Sequence, residues 1–322
     1  MKRPFWKKYK FTVFVLILIF SVLTLNHYKH SVTLTQPSYR ELTDPFMDDR
    51  QKEIREAGCL FSLSLGKIER ICQYDYSPDK LQGIFWKEKE FNKRLVLTFD
   101  DGPNMSLMDW ENGQSSVTAA ILDTLSSRGL TGVFFINGKN LESGSAGEEK
   151  DLRDLLNRMI LEGNMIGNHS YHHYNLARGI FSDGIEDYQD IKAEFDTTQA
   201  ALDRILGYHY PLILIRPPYA EPGRTDVLDH VLKDNGQYLI SLQFDSYDYA
   251  YTEEGYWQPD RLLSHVKKLI LPAQGGVLLM HDHEISVSLL KNILDDQDIR
   301  SCIEIVDMSE ILFEKYQNQS NK

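Results

Sequence analysis

Five strand-like apolar runs of this 322-residue chain each lead into side chains that can bind a metal ion or carry a proton. The runs and their reactive residues are LVLTF with Asp100 and Asp101, MIGN with His169 and His173, LILI with Arg216, YLISL with Asp245, and VLLM with His281. In a parallel α/β fold, the loops at the C-terminal ends of the strands surround one pocket. The sequence therefore predicts that these side chains meet in a single site.

The clearest metal-binding pattern is HSYHH, in which His169 and His173 are four residues apart. One helical turn would aim both imidazoles the same way and leave His172 pointing elsewhere. With the carboxylate of Asp101 they would form a two-histidine, one-carboxylate set with open positions. That set suits catalytic zinc or another divalent metal. A histidine pair without the carboxylate would more often be a surface feature.

Asp100 and Asp101 are adjacent, and adjacent side chains of a regular strand point to opposite faces. Gly102 and Pro103 are expected to break the strand, so that both carboxylates can reach one site. A solvated Asp-Asp-Gly-Pro turn is the alternative interpretation.

Arg216 and His281 also admit two interpretations each. An arginine beyond an apolar strand usually forms a structural ion pair, although Asp100 would be a functional partner for it. A single histidine at a strand end is more often structural than catalytic. Only the combination of all five motifs favours a catalytic site.

An alternation of apolar runs and helical patterns from Arg94 onward predicts the α/β scaffold that positions these residues. Helices are predicted over 117–125, 152–160 and 260–271. The predicted strands are 95–99, 132–136, 165–167, 212–215, 238–242, 277–280 and 303–308.

Residues 1–25 carry a membrane-insertion signal, because five Lys and Arg side chains precede the apolar run 11–25. The run is short for a spanning helix, but no alanine occurs before Ala57 to form a cleavage site. We expect a single-pass anchor with the rest of the chain outside the cytoplasm; secretion after cleavage is the alternative. Further regions are predicted as follows: a stalk or accessory region at 26–93, the α/β domain at 94–313 and a polar tail at 314–322.

The chain has 35 Lys and Arg against 47 Asp and Glu, so its net charge of -12 argues against nucleic acid as a partner. Cys59, Cys72 and Cys302 lack the spacing of a structural metal site. A disulfide between Cys59 and Cys72 and three free thiols are equally open.

Five segments resemble, in the same order, the five motifs of polysaccharide deacetylases, which form carbohydrate esterase family four and share the NodB homology domain. They are TFDDGP (98–103), HSYHH (169–173), RPPYA (216–220), FDSYD (244–248) and LMH (279–281). The resemblance covers residues 94–313 and implies a distorted (β/α)7 barrel. It also implies a hydrolase that removes N-acetyl groups from an amino-sugar glycan such as peptidoglycan, poly-N-acetylglucosamine or a chitin-like polymer. The implied cofactor is a divalent metal, usually Zn²⁺, with Co²⁺, Ni²⁺ or Mn²⁺ as alternatives.

The same resemblance implies a role for each motif residue. Asp101, His169 and His173 would bind the metal. Asp100 would be the general base, held by Arg216, and His281 would be the general acid, oriented by Asp245. The backbone N–H of Tyr219 would donate to the oxyanion, and Leu279 would line the pocket for the acetyl group. Tyr174, Ala220 and Tyr249 differ from the residues usual in the family, which leaves pocket shape and substrate open.

Three other functions are compatible with parts of the pattern. The metal set is also that of iron(II) oxygenases, but their all-β folds do not alternate strands with helices. An O-deacetylase of a polysaccharide such as xylan would use the same machinery. A non-catalytic glycan-binding relative would keep the fold without turnover.

Overall fold

The computed structural model describes residues 91–111, 113–176, 187–219, 226–250 and 258–312. The predicted anchor, stalk and polar tail, together with Cys59 and Cys72, lie outside these ranges. Within the described residues, no helix is both long and apolar enough to span a membrane.

Ten strands are present in the described residues. They are β1 (Arg94–Gly102), β2 (Leu107–Trp110), β3 (Gly113–Ser116), β4 (Val133–Ile136), β5 (Met165–Asn168), β6 (Leu214–Ile215), β7 (Tyr238–Leu239), β8 (Phe244–Asp245), β9 (Gly275–His281) and β10 (Glu304–Ile305). Eight of them form one parallel sheet in the order β7-β6-β5-β4-β1-β9-β8, with β10 also paired with β1. β2 and β3 form a separate antiparallel pair.

In the described part of the chain, seven α-helices connect and cover these strands. They are α1 (Val117–Ser126), α2 (Ala146–Leu161), α3 (Tyr188–Leu206), α4 (Asp226–Asp234), α5 (Pro259–Ile270), α6 (Glu284–Asp295) and α7 (Gln297–Cys302). Side chains cap four of their N-termini: Ser116, Ser145, Asp187 and Asp296 accept backbone N–H groups of the first turns of α1, α2, α3 and α7. Such caps satisfy amides that have no partner inside the helix.

The central strand β1 is buried along nearly its whole length, which is why its sequence is an apolar run rather than an alternating one. It pairs with β4 on one side and β9 on the other. The register with β9 places Asp100 directly opposite His281. Two residues predicted to be catalytic are therefore neighbours across adjacent strands.

The seven predicted strands correspond to β1, β4, β5, β6, β7, β9 and β10, and the three predicted helices correspond to α1, α2 and α5. The predicted distorted (β/α)7 barrel is confirmed in part, as a curled parallel sheet with helices in which no pairing joins β7 to β8 within the described residues. Each of these two strands is only two residues long, so the run 238–242 forms a much shorter ladder than its apolar sequence suggested.

Candidate active site and metal centre

The residues predicted to do chemistry meet at the C-terminal ends of the central strands. Asp100 and Asp101 lie near the end of β1, His169 follows β5, Arg216 follows β6, and His281 ends β9. These side chains form one cluster, in which neighbouring polar atoms lie 2.8–3.7 Å apart.

Three side chains of this cluster present metal-binding atoms to one another. The Oδ1 atom of Asp101 lies 3.4 Å from Nε2 of His169 and 3.3 Å from Nε2 of His173. One ligand atom from each residue lies within 4.8 Å of the other two. Two imidazole nitrogens and one carboxylate oxygen suit Zn²⁺ and leave positions for water and substrate. The residues present therefore fit a divalent metal ion.

His169 is oriented by a backbone contact on its far side. Its Nδ1 atom lies 2.6 Å from the carbonyl oxygen of Arg216, and its side chain is almost completely buried. A carbonyl only accepts hydrogen bonds, so Nδ1 carries the proton and Nε2 directs its lone pair towards Asp101.

A bulge at Asp101 explains how two adjacent carboxylates reach the same site. Strand β1 continues through Gly102, but its register with β4 shifts between Asp100 and Gly102. Asp101 adopts a left-handed backbone conformation with φ of 67°. The strand ends at Gly102 and Pro103 as predicted, but the bulge at Asp101, and not the end of the strand, turns the second carboxylate. Gly102 is required for space, since an added Cβ would lie 2.4 Å from an Asp282 carboxylate oxygen.

The HSYHH segment is a bent loop rather than the predicted helical turn. Ser170 and His173 have left-handed backbones, with φ of 69° and 61°. The His173 N–H donates to Oγ of Ser170 over 3.1 Å, which bends the chain back towards Asp101. His172 points away as predicted, and its ring contacts Glu194 instead.

Asp100 and Arg216 form the predicted ion pair in the interior. Nη1 of Arg216 donates to Oδ1 of Asp100 over 2.8 Å and to Oγ1 of Thr98 over 2.7 Å. The guanidinium carbon also lies 4.4 Å from the centre of the Phe135 ring. Both charged side chains are almost fully buried, so the arginine holds the carboxylate in one position beside His169, 3.7 Å from its Nε2 atom.

The aspartate that orients His281 is Asp248, and not Asp245 as predicted. Asp248 Oδ1 lies 2.7 Å from Nδ1 of His281, and its Oδ2 accepts the backbone N–H of the same histidine over 2.7 Å. Asp245 instead accepts the backbone N–H of Tyr247 over 2.8 Å. Both aspartates lie in FDSYD, with Asp245 as the last residue of the two-residue β8 and Asp248 three residues later, so the motif alone could not distinguish them.

Electrostatics reinforce the contact between His281 and Asp248. Burial alone would lower the pKa of His281, but the hydrogen bond and charge of Asp248, with Asp100 and Asp101 nearby, raise this pKa to about 9. Burial opposes ionisation of Asp248, yet its bonds to His281 and Ser286 hold the pKa of Asp248 below its ordinary value. The pair is therefore a protonated imidazole beside a carboxylate at neutral pH.

The metal-binding residues also have shifted pKa values. Burial favours the neutral form of Asp101, but the charges of His169, His173 and His281 outweigh it and lower the pKa of Asp101. Burial, followed by the neighbouring His169, lowers the pKa of His173. A carboxylate and a neutral imidazole are the forms that bind a metal ion.

The two remaining predicted residues line the same region. Tyr219 has a left-handed backbone with φ of 64°, and its ring packs edge-on against His173 with centroids 4.8 Å apart. Leu279 is buried on β9, paired with Thr98 and Asp245 of the neighbouring strands. Tyr249, which the sequence left without a role, is exposed and lies edge-on to His281, 5.3 Å between ring centroids.

Residues 87–240 match the model of the polysaccharide deacetylase family. The chain is 28% identical over 243 residues to a peptidoglycan-N-acetylglucosamine deacetylase of Listeria monocytogenes, covering 75% of this chain and 44% of the relative. It is 28% identical over 224 residues to a chitin deacetylase of Arthroderma benhamiae, covering 69% of this chain and 52% of the relative. The chain thus spans about half the length of these curated relatives.

Solved structures that share the fold include two of carbohydrate esterase family four. One is a carbohydrate esterase family four esterase of Streptococcus mutans, with a TM-score of 0.53 and 23% identity over 73% of this chain and 93% of the other. The second is a family four pseudoenzyme of Bacillus anthracis, with a TM-score of 0.51 and 19% identity over 69% and 66% of the two chains. At these identities the likeness shows the fold alone. Asp248 and His281 lie beyond the matched residues 87–240, so their place in the site comes from the structure.

Proposed function

We propose that this chain, whose residues 87–240 match the polysaccharide deacetylase family, is a metal-dependent hydrolase that removes N-acetyl groups from an amino-sugar polysaccharide. The observation that carries the proposal is the meeting of three units in one site. These are a metal-binding triad, a buried carboxylate held by an arginine, and a protonated histidine held by an aspartate.

Amide hydrolysis needs an activated water, a stabilised oxyanion and a proton for the departing amine. A divalent ion held by Asp101, His169 and His173 would polarise the acetyl carbonyl and lower the pKa of water. Asp100 accepts the proton of the attacking water, and Arg216 keeps this carboxylate in place. The Tyr219 backbone N–H is the proposed further donor to the oxyanion, beside His173.

The amine leaves only after it gains a proton, and His281 is the proposed source. Its raised pKa keeps the imidazole protonated at neutral pH, and Asp248 orients it through Nδ1. As the carbon–nitrogen bond breaks, the proton passes to the sugar nitrogen and acetate carries the oxygen of the water. Leu279 would border the acetyl methyl group.

The substrate class follows from the relatives and from the chemistry of the site. One relative acts on peptidoglycan N-acetylglucosamine and another on chitin, and N-acetylated glucosamine is common to both. Since a pseudoenzyme shares the fold, fold likeness does not decide turnover. Turnover is supported by the carboxylates and histidines described above.

The substrate class is tested by acetate release from N-acetylglucosamine oligomers and from O-acetylated xylooligosaccharides at equal acetyl concentration. We expect the higher kcat/KM for the N-acetylated oligomers. A preference for the esters would assign the chain to O-deacetylation. Binding of both glycans without acetate release would identify a non-catalytic relative.

Asp248 and Asp245 provide a matched test of the proton donor. Asp248→Asn removes the charge that raises the pKa of His281, so the alkaline fall of the kcat/KM profile should move to lower pH and the maximum should drop by about 10-fold or more. Asp245→Asn keeps an oxygen for the Tyr247 N–H and should change neither strongly. If Asp245→Asn instead caused the larger drop in kcat/KM and the larger shift of the alkaline limb, Asp245 would be the residue that orients His281.

A further inference from the structure

The loop between the two proposed histidine ligands is held from its outer side by one buried acid, Glu194. This residue lies on α3 and its side chain is 8% exposed. Its Oε2 atom accepts the backbone N–H groups of Tyr171 and His172 over 2.9 and 2.7 Å. Its Oε1 atom lies 2.7 Å from Nδ1 of His172. Three N–H donors from two consecutive residues therefore converge on one carboxylate.

The loop needs such support because its backbone is unfavourable. Ser170 and His173 both adopt left-handed conformations, which residues with a Cβ rarely adopt. Such conformations persist only where surrounding contacts determine them. Tyr171 and His172, the residues that Glu194 holds, lie between the two, immediately before His173.

The ring of His172 is fixed on the same outer side. It packs against the rings of Tyr171 and Tyr174, with centroid distances of 4.7 and 5.0 Å. This arrangement keeps His172 with Glu194 and away from Asp101, although it is adjacent to the ligand His173. The consecutive residues His172 and His173 thus face opposite sides of the loop, His172 towards Glu194 and His173 towards Asp101.

We propose that Glu194 is a positioning residue for the metal centre, which sets the separation of His169 and His173 before an ion binds. The proposal rests on the metal-dependent function proposed above. Backbone N–H groups cannot rotate independently of the chain, so binding two of them fixes the peptide planes that precede His173. Partners that orient ligands in this way typically contribute about 10–100-fold to metal affinity.

The test compares Glu194→Leu and Glu194→Gln with the wild-type full chain and with Asp190→Asn as control. Asp190 is an exposed acid one helical turn earlier on α3, so its replacement changes charge on the same helix. Zinc affinity is measured by competition with a chromogenic chelator, at a temperature where circular dichroism shows each protein to be folded. Thermal unfolding of the metal-free proteins is measured separately.

We expect the Leu variant to bind zinc about 10–100-fold more weakly than the wild type. The Gln variant should show a smaller loss, because its amide oxygen can still accept the two backbone N–H groups but without charge. The control should retain wild-type affinity. A loss of thermal stability with unchanged zinc affinity would assign Glu194 a purely structural role and overturn the proposal.

If the Leu variant does not fold, the Gln variant decides, and wild-type zinc affinity in it would overturn the proposal. Failure of the wild-type chain to bind zinc would instead contradict the proposed function. The two failures are therefore distinguishable in the same measurement.

Discussion

Asp100→Asn is expected to lower kcat/KM for an N-acetylated glycan by about 10²–10⁴-fold, the usual contribution of a general base. The amide cannot take a proton from water, while its oxygen can still accept the bond from Nη1 of Arg216. Zinc binding should persist, because the ligand set of Asp101, His169 and His173 is unchanged.

The measurement must separate catalysis from stability. Arg216 is 1% exposed, so loss of its charged partner can cost about 3–5 kcal/mol of folding free energy. Acetate release is therefore compared at a temperature where circular dichroism shows the variant to be folded. Asp109→Asn, an exposed replacement on β2, should retain full activity. Turnover near the wild-type rate in a folded Asp100→Asn protein would remove Asp100 from the mechanism.

His281→Ala is expected to reduce kcat by about 10²–10⁴-fold and to remove the alkaline limb of the pH-rate profile. The pKa of His281 is raised to about 9, above its ordinary value, so the imidazole can donate a proton below that pH and loses this ability as pH rises through it. The folding stability depends on pH in the same direction, because the raised pKa of His281 means that its protonated form is stabilised in the folded protein. The pair with Asp248 stabilises the fold fully below a pH of about 6.5, and this contribution is lost as pH rises through about 9.

His283→Ala is the matched control for this prediction. His283 is exposed and its ring lies 5.8 Å from that of His281, so its loss changes the neighbourhood without removing the proposed acid. We expect pH-rate profiles of this variant to keep the limb near pH 9. A limb that survives in His281→Ala would show that another group supplies the proton.

The scaffold was predictable from the sequence because its central strands are buried on both faces. LVLTF and VLLM became β1 and β9, and their parallel pairing brings Asp100 opposite His281. The short strands at the edges were less predictable. The apolar run 238–242 gives only the two-residue β7, since neighbouring strands and not residue types decide how far a ladder extends.

The site was predictable as a set of residues but not in its local geometry. The spacing of His169 and His173 is that of a helical turn, yet left-handed residues and the distant Glu194 fix a bent loop. Asp101 reaches the site through a bulge that no sequence period reports. Asp248 was missed because it shares its motif with Asp245, and only the fold shows which carboxylate meets His281.

The membrane anchor at residues 1–25 and the possible Cys59–Cys72 disulfide stay predictions, since both lie outside the described residues. The anchor and the disulfide bear on the cellular location of the domain. The proposed hydrolysis depends on the side chains around Asp101, so the experiments that test it address those side chains.

The most direct measurement is acetate release from N-acetylglucosamine oligomers by the full chain before chelation, after chelation and after return of zinc. We predict that removal of metal abolishes release and that zinc restores it, because Asp101, His169 and His173 form a ligand set with open positions. Release that continues unchanged after complete metal removal, or its absence from protein shown to hold zinc, would contradict the account.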